Sequence, residues 1–124
     1  FSYLRRFSFM AVQTTNWEVD SNTTYQFQID YKDSNGDPID ITGSSAKMQV
    51  RDATGQKLAF TLTSPSGGIT IDGPNGTLTV KMTPTQTSKL FYPKSVYDLI
   101  LTDSSLNKTK LVGGYITLTK TVTI

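Results

Sequence analysis

Between Thr23 and Asp52 the chain alternates in a way that admits few architectures. Tyr25, Phe27, Ile29 and Tyr31 are interleaved with Gln26, Gln28, Asp30 and Lys32. That period of two belongs to a half-buried strand, with one face apolar and the other wet. Asp33-Ser34-Asn35-Gly36-Asp37-Pro38 then interrupts it. Asn-Gly supplies positive φ and Pro38 fixes its own φ, which is turn chemistry. After Ile39-Asp40-Ile41 and Gly43 the alternation resumes, with Ala46, Met48 and Val50 on one face and Lys47, Gln49 and Arg51 on the other. The stretch reads as two strands and the turn between them, in a small all-β module.

The rest of the chain repeats the pattern. Val12 to Trp17 is expected as a first short strand. Leu58, Phe60 and Leu62 alternate with Ala59, Thr61 and Thr63; Ile69 and Ile71 make a short run; Leu78, Val80 and Met82 alternate with Thr77, Thr79 and Lys81. Val96 to Asp103 is the most apolar segment and is expected to be central. Lys110 to Thr119 is the last long strand, and Gly113-Gly114 inside it marks a bulge or a close backbone approach. Gly-, Pro- and Asn-rich turns separate these runs, which is the spacing of a sandwich or a barrel. Thr83 to Leu90 carries the one helical signal. Thr83 can cap, Pro84 suits the first helical position and Gln86 completes a capping box. The core is expected to draw on Trp17, Tyr25, Phe27, Ile29, Met48, Val50, Phe60, Leu78, Val80, Leu99, Leu101 and Ile116.

Composition removes several chemistries. The 124 residues fit one domain and include no Cys and no His. That excludes disulfides, thiolate nucleophiles, imidazole bases and most zinc sites. The net charge of +2 comes from cations spread along the chain, Arg5-Arg6 being the only adjacent basic pair, so nucleic acid is not an expected partner. No apolar run approaches a membrane span, and the N-terminus lacks the apolar region of a secretory leader. The acids fall mostly at turns or outward strand positions, with no spacing that pairs two in a cleft, so a non-enzymatic protein without cofactors is expected. Asp33, Asn35 and Asp37 place oxygens on alternate residues, a fragment of a calcium loop that lacks its later Gly and closing Glu. An Asx-type turn accounts for the same residues, and no metal is expected. Tyr92, Tyr97 and Tyr115 are the candidates for a saccharide platform, against the commoner fate of burial.

The two ends stand apart. In residues 1–11 the aromatics Phe1, Tyr3, Phe7 and Phe9 fall on odd positions with Arg5, beside Leu4 and Arg6. One reading is an aromatic arm that docks on a neighbouring subunit; the other is a remnant of start-site choice or processing, since Met10-Ala11 resembles an initiator. Residues 120–124 continue the final strand pattern, and Thr121 and Ile124 are candidate docking residues there.

A resemblance runs over about residues 12–119. It rests on a Trp in an opening strand, on the D-x-x-G-x-P-x-D-x-T-G stretch at Asp33–Gly43, on Thr83-Pro84-Thr85-Gln86-Thr87, and on Tyr97-Asp98-Leu99-Ile100-Leu101-Thr102-Asp103. In these the chain resembles the small immunoglobulin-like β-sandwich proteins of tailed bacteriophages, and is similar to the N-terminal domain of lactococcal-phage upper baseplate proteins. The resemblance implies an antiparallel sandwich of about seven or eight strands with one short helical turn near 84–90. It implies no catalytic residues. It further implies a virion subunit assembled in the host cytoplasm, docking in multiple copies on other structural proteins of the tail or baseplate. A free-standing accessory subunit is expected, because no fibre-binding extension follows. A head decoration or head-to-tail connector protein is the neighbouring reading. A carbohydrate-binding adhesion module for the host surface is the reading of another class, and it requires an exposed aromatic platform.

Overall fold

The computed structural model describes residues 4–9 and 13–122. In chain order its strands are β1 (Leu4–Phe9), β2 (Gln13–Thr14), β3 (Trp17–Asp20), β4 (Tyr25–Tyr31), β5 (Ser45–Asp52), β6 (Leu58–Thr63), β7 (Ile69–Asp72), β8 (Thr77–Met82), β9 (Lys94–Thr102) and β10 (Lys108–Thr119). A single helical turn, α1 (Pro84–Thr87), joins β8 to β9. One sheet has the order β1-β4-β8-β7. The other runs β2-β10-β9-β5-β6, with β3 also paired to β10. Inward side chains of the two sheets meet in one core, so the expected all-β sandwich with one short helical turn is what the chain forms.

The strand pattern differs from expectation at the N-terminal side. The interior pairings are antiparallel, but β1 pairs with β4 in parallel, and β2 and β3 each pair with β10 in parallel. Parallel neighbours need a crossover between them. Here β1 reaches β4 through β2 and β3 in the opposite sheet, so the N-terminal segment wraps one open side of the sandwich. Of the expected first strand at Val12–Trp17, Val12 lies outside the described residues and the remainder is broken in two. At the break, the Thr15 amide donates to the Gly113 carbonyl at 3.0 Å and the Asn16 side-chain oxygen accepts from the Tyr115 amide at 2.9 Å. These bonds replace the regular ladder between β2 and β3.

The turn at Asp33–Asp37 does not join a paired hairpin either: β4 and β5 lie in different sheets. Asp33 Oδ1 accepts from the amides of Asn35 and Asp37 at 2.9 and 3.0 Å, an Asx-type turn. Pairing then lasts only for the bridge between Lys32 and Pro38. Beyond it Ile41 is buried, Ile39 packs on the core, and the Ile41 amide donates to Gly73. Burying these two isoleucines carries the linker across the end of the sandwich, which outweighs continuing a polar hairpin into water.

Trp17 anchors the core. Its indole stacks on Phe27 at 4.3 Å between ring centroids and 26° between planes, with Tyr97 at 6.0 Å and Tyr25 edge-on at 6.2 Å. Phe27, Ile29, Met48, Val50, Phe60, Leu78, Val80, Leu99, Leu101 and Ile116 are buried around it, and Tyr25 is half-buried against the cluster. Leu62, Ile69, Met82 and Leu111 are buried as well. The short helical turn has its capping box: Thr83 Oγ1 accepts from the Gln86 amide and Gln86 Oε1 accepts from the Thr83 amide. Buried Thr87 ties this turn to the start of β4 by donating to the Thr23 carbonyl at 2.7 Å and accepting from the Thr23 amide at 3.1 Å.

Candidate functional site

Because Met48, Val50, Tyr97, Leu99, Val112 and Ile116 point inward, the residues between them point out. Strand register sets those outward residues in rows across β5, β9 and β10. Gln49, Asp98 and Gly113 form one row, and Arg51, Val96 and Tyr115 the next. Lys47 stands beside Ile100 and Lys110 on the other flank of the Gln49 row. A β-bulge between Lys110 and Val112 swings the Lys110 side chain back over Gly113, where its Cε lies 2.7 Å from the position a Cβ would take.

Beside Gly113, which the Lys110 stem covers, this face is hollowed. The resulting cleft has a volume of about 460 Å³ and is walled by Gln49, Arg51, Asp98, Lys110 and Tyr115 over the backbone of Gly113 and Gly114. Gly114 is itself required. A Cβ there would strike the Thr15 carbonyl oxygen and come within 2.7 Å of Asn16 Oδ1, and its φ is +155°. The close approach foreshadowed by the Gly-Gly pair is thus between β10 and the β2–β3 break.

The polar groups around the cleft are ordered. Arg51 Nη2 donates to Gln49 Oε1 at 2.9 Å and Nη1 to the Gln56 carbonyl at 3.3 Å. Lys94 Nζ sits 4.3 Å from the centroid of the Tyr115 ring, a cation–π contact. Lys120 stands in the same way over Tyr92, at 4.4 Å. Lys47, Arg51 and Lys110 stand on the rows around one carboxylate, Asp98, an excess of cations over that carboxylate, while Lys94 lies further along, in line with Thr117 and Glu18.

The candidate tyrosines therefore part company. Tyr97 is buried, and burial pushes its phenol well above the usual range. Tyr92 and Tyr115 are exposed, at 61% and 44%. The register separates them, Tyr115 facing the cleft and Tyr92 lying beyond the start of β9. Gln49, Arg51, Asp98 and Lys110 were not singled out by the sequence. Their parity was legible, but which strands lie side by side was not.

A second hollow, of about 500 Å³, lies on the other sheet between Gln28, Asp30, Asp72, Asn75 and Thr77. Its polar groups bond one another: Asp30 accepts from Gln28 and Thr77, and Asn75 donates to Asp72. Elsewhere the carboxylates of Asp40 and Asp52 are held below the usual range, chiefly by the hydroxyls of Thr42 and Thr54, and serve turns. No cluster of three or more metal-ligating side chains occurs among the described residues, and none of their helices is long and apolar enough to cross a membrane.

Of the candidate docking residues, Phe1, Tyr3 and Ile124 lie outside the described residues. The backbone of Leu4, Arg5, Arg6, Phe7 and Phe9 pairs with β4 of the same chain, from Leu4 beside Gln26 to Phe9 beside Tyr31. Thr121 is half-buried; its amide donates to Ser21 Oγ at 2.9 Å and its hydroxyl to the Ser21 carbonyl.

No protein-family model matches the chain, and no curated protein matches its sequence. Among solved structures, the N-terminal domain of ORF48 of phage TP901-1 has a similar fold. The TM-score is 0.56 at 10% identity, over 94% of this chain and 97% of that one. At that identity the likeness is one of fold. CopC from Methylosinus trichosporium OB3b aligns over 88% of each chain at 16% identity with a TM-score of 0.49.

Proposed function

We propose that this chain is a non-enzymatic structural subunit of a tailed-phage virion, docked on the tail or baseplate among other virion proteins. The observation that carries the reading is the correspondence of fold with a phage protein domain along nearly the whole of both chains. The chemistry is compatible. The chain has no thiol or imidazole, and most of its carboxylates cap turns or bond neighbouring side chains. Repeated copies on a symmetric scaffold gain affinity by avidity without a deep binding site.

In this reading the terminal segments are the docking elements. β1 lies at a sheet edge and contributes backbone hydrogen bonds to β4. A neighbouring copy can supply the same strand in exchange, which links subunits without any new interface chemistry.

Immunogold electron microscopy of intact particles, with antibody against this chain, tests the proposal. Label at the tail tip or baseplate is the expected result. Label over the capsid or neck would replace the tail reading with decoration or connection. Well-formed particles without label would remove the virion reading altogether.

A further inference from the structure

We propose that the cleft over Gly113 and Gly114 is a binding site for a short acidic saccharide. The inference is independent of the virion reading, because it rests on the shape and chemistry of one face. The cleft volume of about 460 Å³ is in the range of small-ligand pockets, about 300–1,000 Å³. Its floor is backbone already committed to the β9 ladder, Gly113 to Asp98 and Gly114 to Tyr97. An extended peptide laid there would find no main-chain partners for its own amides and carbonyls. A saccharide needs none, because its hydroxyls are met by side-chain tips.

Those tips are present in both senses. Asp98 and the Gln49 carbonyl accept, while Arg51, Lys110 and the Gln49 amide donate. Arg51 uses two of its five N–H groups on Gln49 and Gln56, so its fork retains donors for a ligand. Tyr115 supplies the apolar wall. Register places Lys94 beside Thr117, on the side of Tyr115 away from Gly113, so the ammonium stacks from the far side and the near side borders the cleft. The local excess of cations selects a carboxylate- or phosphate-bearing sugar over a neutral one. Asp98 distinguishes the site from a plain anion patch, because a carboxylate at the centre repels a bare anion but accepts from a sugar's vicinal hydroxyls.

The test is an amide chemical-shift titration of the full chain with trigalacturonic acid, beside neutral galactotriose, inorganic phosphate and triglutamate. The expected result is saturable change confined to Gln49, Arg51, Asp98, Gly113, Gly114 and Tyr115, at least tenfold tighter for the acidic sugar than for the neutral one. Tyr115→Ala and Arg51→Gln should each weaken binding at least tenfold while the unfolding midpoint holds. Asp98→Ala gives the sharpest contrast: a saccharide site loses affinity for trigalacturonate, whereas an electrostatic patch gains it. The proposal is overturned if trigalacturonic acid gives no saturable change, if phosphate or triglutamate reproduces the pattern, or if Asp98→Ala binds more tightly.

Discussion

The Tyr97 hydroxyl donates a 2.6 Å hydrogen bond to the Thr15 carbonyl, a partner 82 positions earlier in the chain. The bond crosses directly behind Gly114, whose missing Cβ lets the Thr15 carbonyl approach. It fixes the break between β2 and β3 against the central strand β9. Gly114 and Tyr97 border the outer cleft, and the Tyr97 ring is part of the inner core.

Removing that hydroxyl should destabilise the fold and alter its alkaline behaviour. Tyr97→Phe is expected to cost about 1–2 kcal/mol, because the part-buried Thr15 carbonyl loses a partner. Burial raises the folded phenol above its ordinary value of 10.0, so the folded state holds the proton more tightly than the unfolded one. Its contribution is complete below the unfolded value and declines as pH climbs above it toward the folded value. Urea unfolding at pH 8 and pH 11 should show wild type losing more stability than Tyr97→Phe over that interval; parallel losses would refute the assignment.

Gly114→Ala should be among the most damaging single-methyl additions in the chain. The new Cβ meets the Thr15 carbonyl and the Asn16 side chain, and overpacking against backbone costs about 1–3 kcal/mol. Gly36→Ala adds a methyl where nothing lies within 4 Å, at φ +83°, and should cost only about 1 kcal/mol for the conformation. Denaturant midpoints of the two variants rank them, and the reverse order would contradict the close approach.

The helical turn supplies a contrast between two threonines. Thr83→Ala removes an exposed cap and should cost about 1 kcal/mol. Thr87→Val keeps the shape but leaves both the amide and the carbonyl of Thr23 without their partner, for about 2 kcal/mol. Calorimetry should place the Thr87→Val midpoint below that of Thr83→Ala.

Deleting residues 1–9 removes β1, whose backbone pairs with β4. Cooperative unfolding should persist, while amides of β4 exchange faster because their strand becomes a sheet edge. Loss of the cooperative transition would show that β1 is integral to the core.

Much of this protein was already settled in one dimension. The period of two at Tyr25–Tyr31 and Ser45–Asp52, the capping box at Thr83 and Gln86, and the Asx turn at Asp33 are local, and each depends on residues a few positions apart. Burial follows from parity alone, so Phe27, Met48 and Leu99 were readable as core. What tertiary structure decided is which strands are neighbours. Nothing local separates β4 from β5 into different sheets, because a turn of the same composition serves a hairpin or a crossing equally well. The choice is made by burying Ile39 and Ile41 across the sandwich end. Likewise the row of Gln49, Asp98 and Gly113 joins β5 to the distant β9–β10 pair through backbone hydrogen bonds that carry no side-chain signature. The cleft exists only once that register is set, since a groove is a property of adjacent strands.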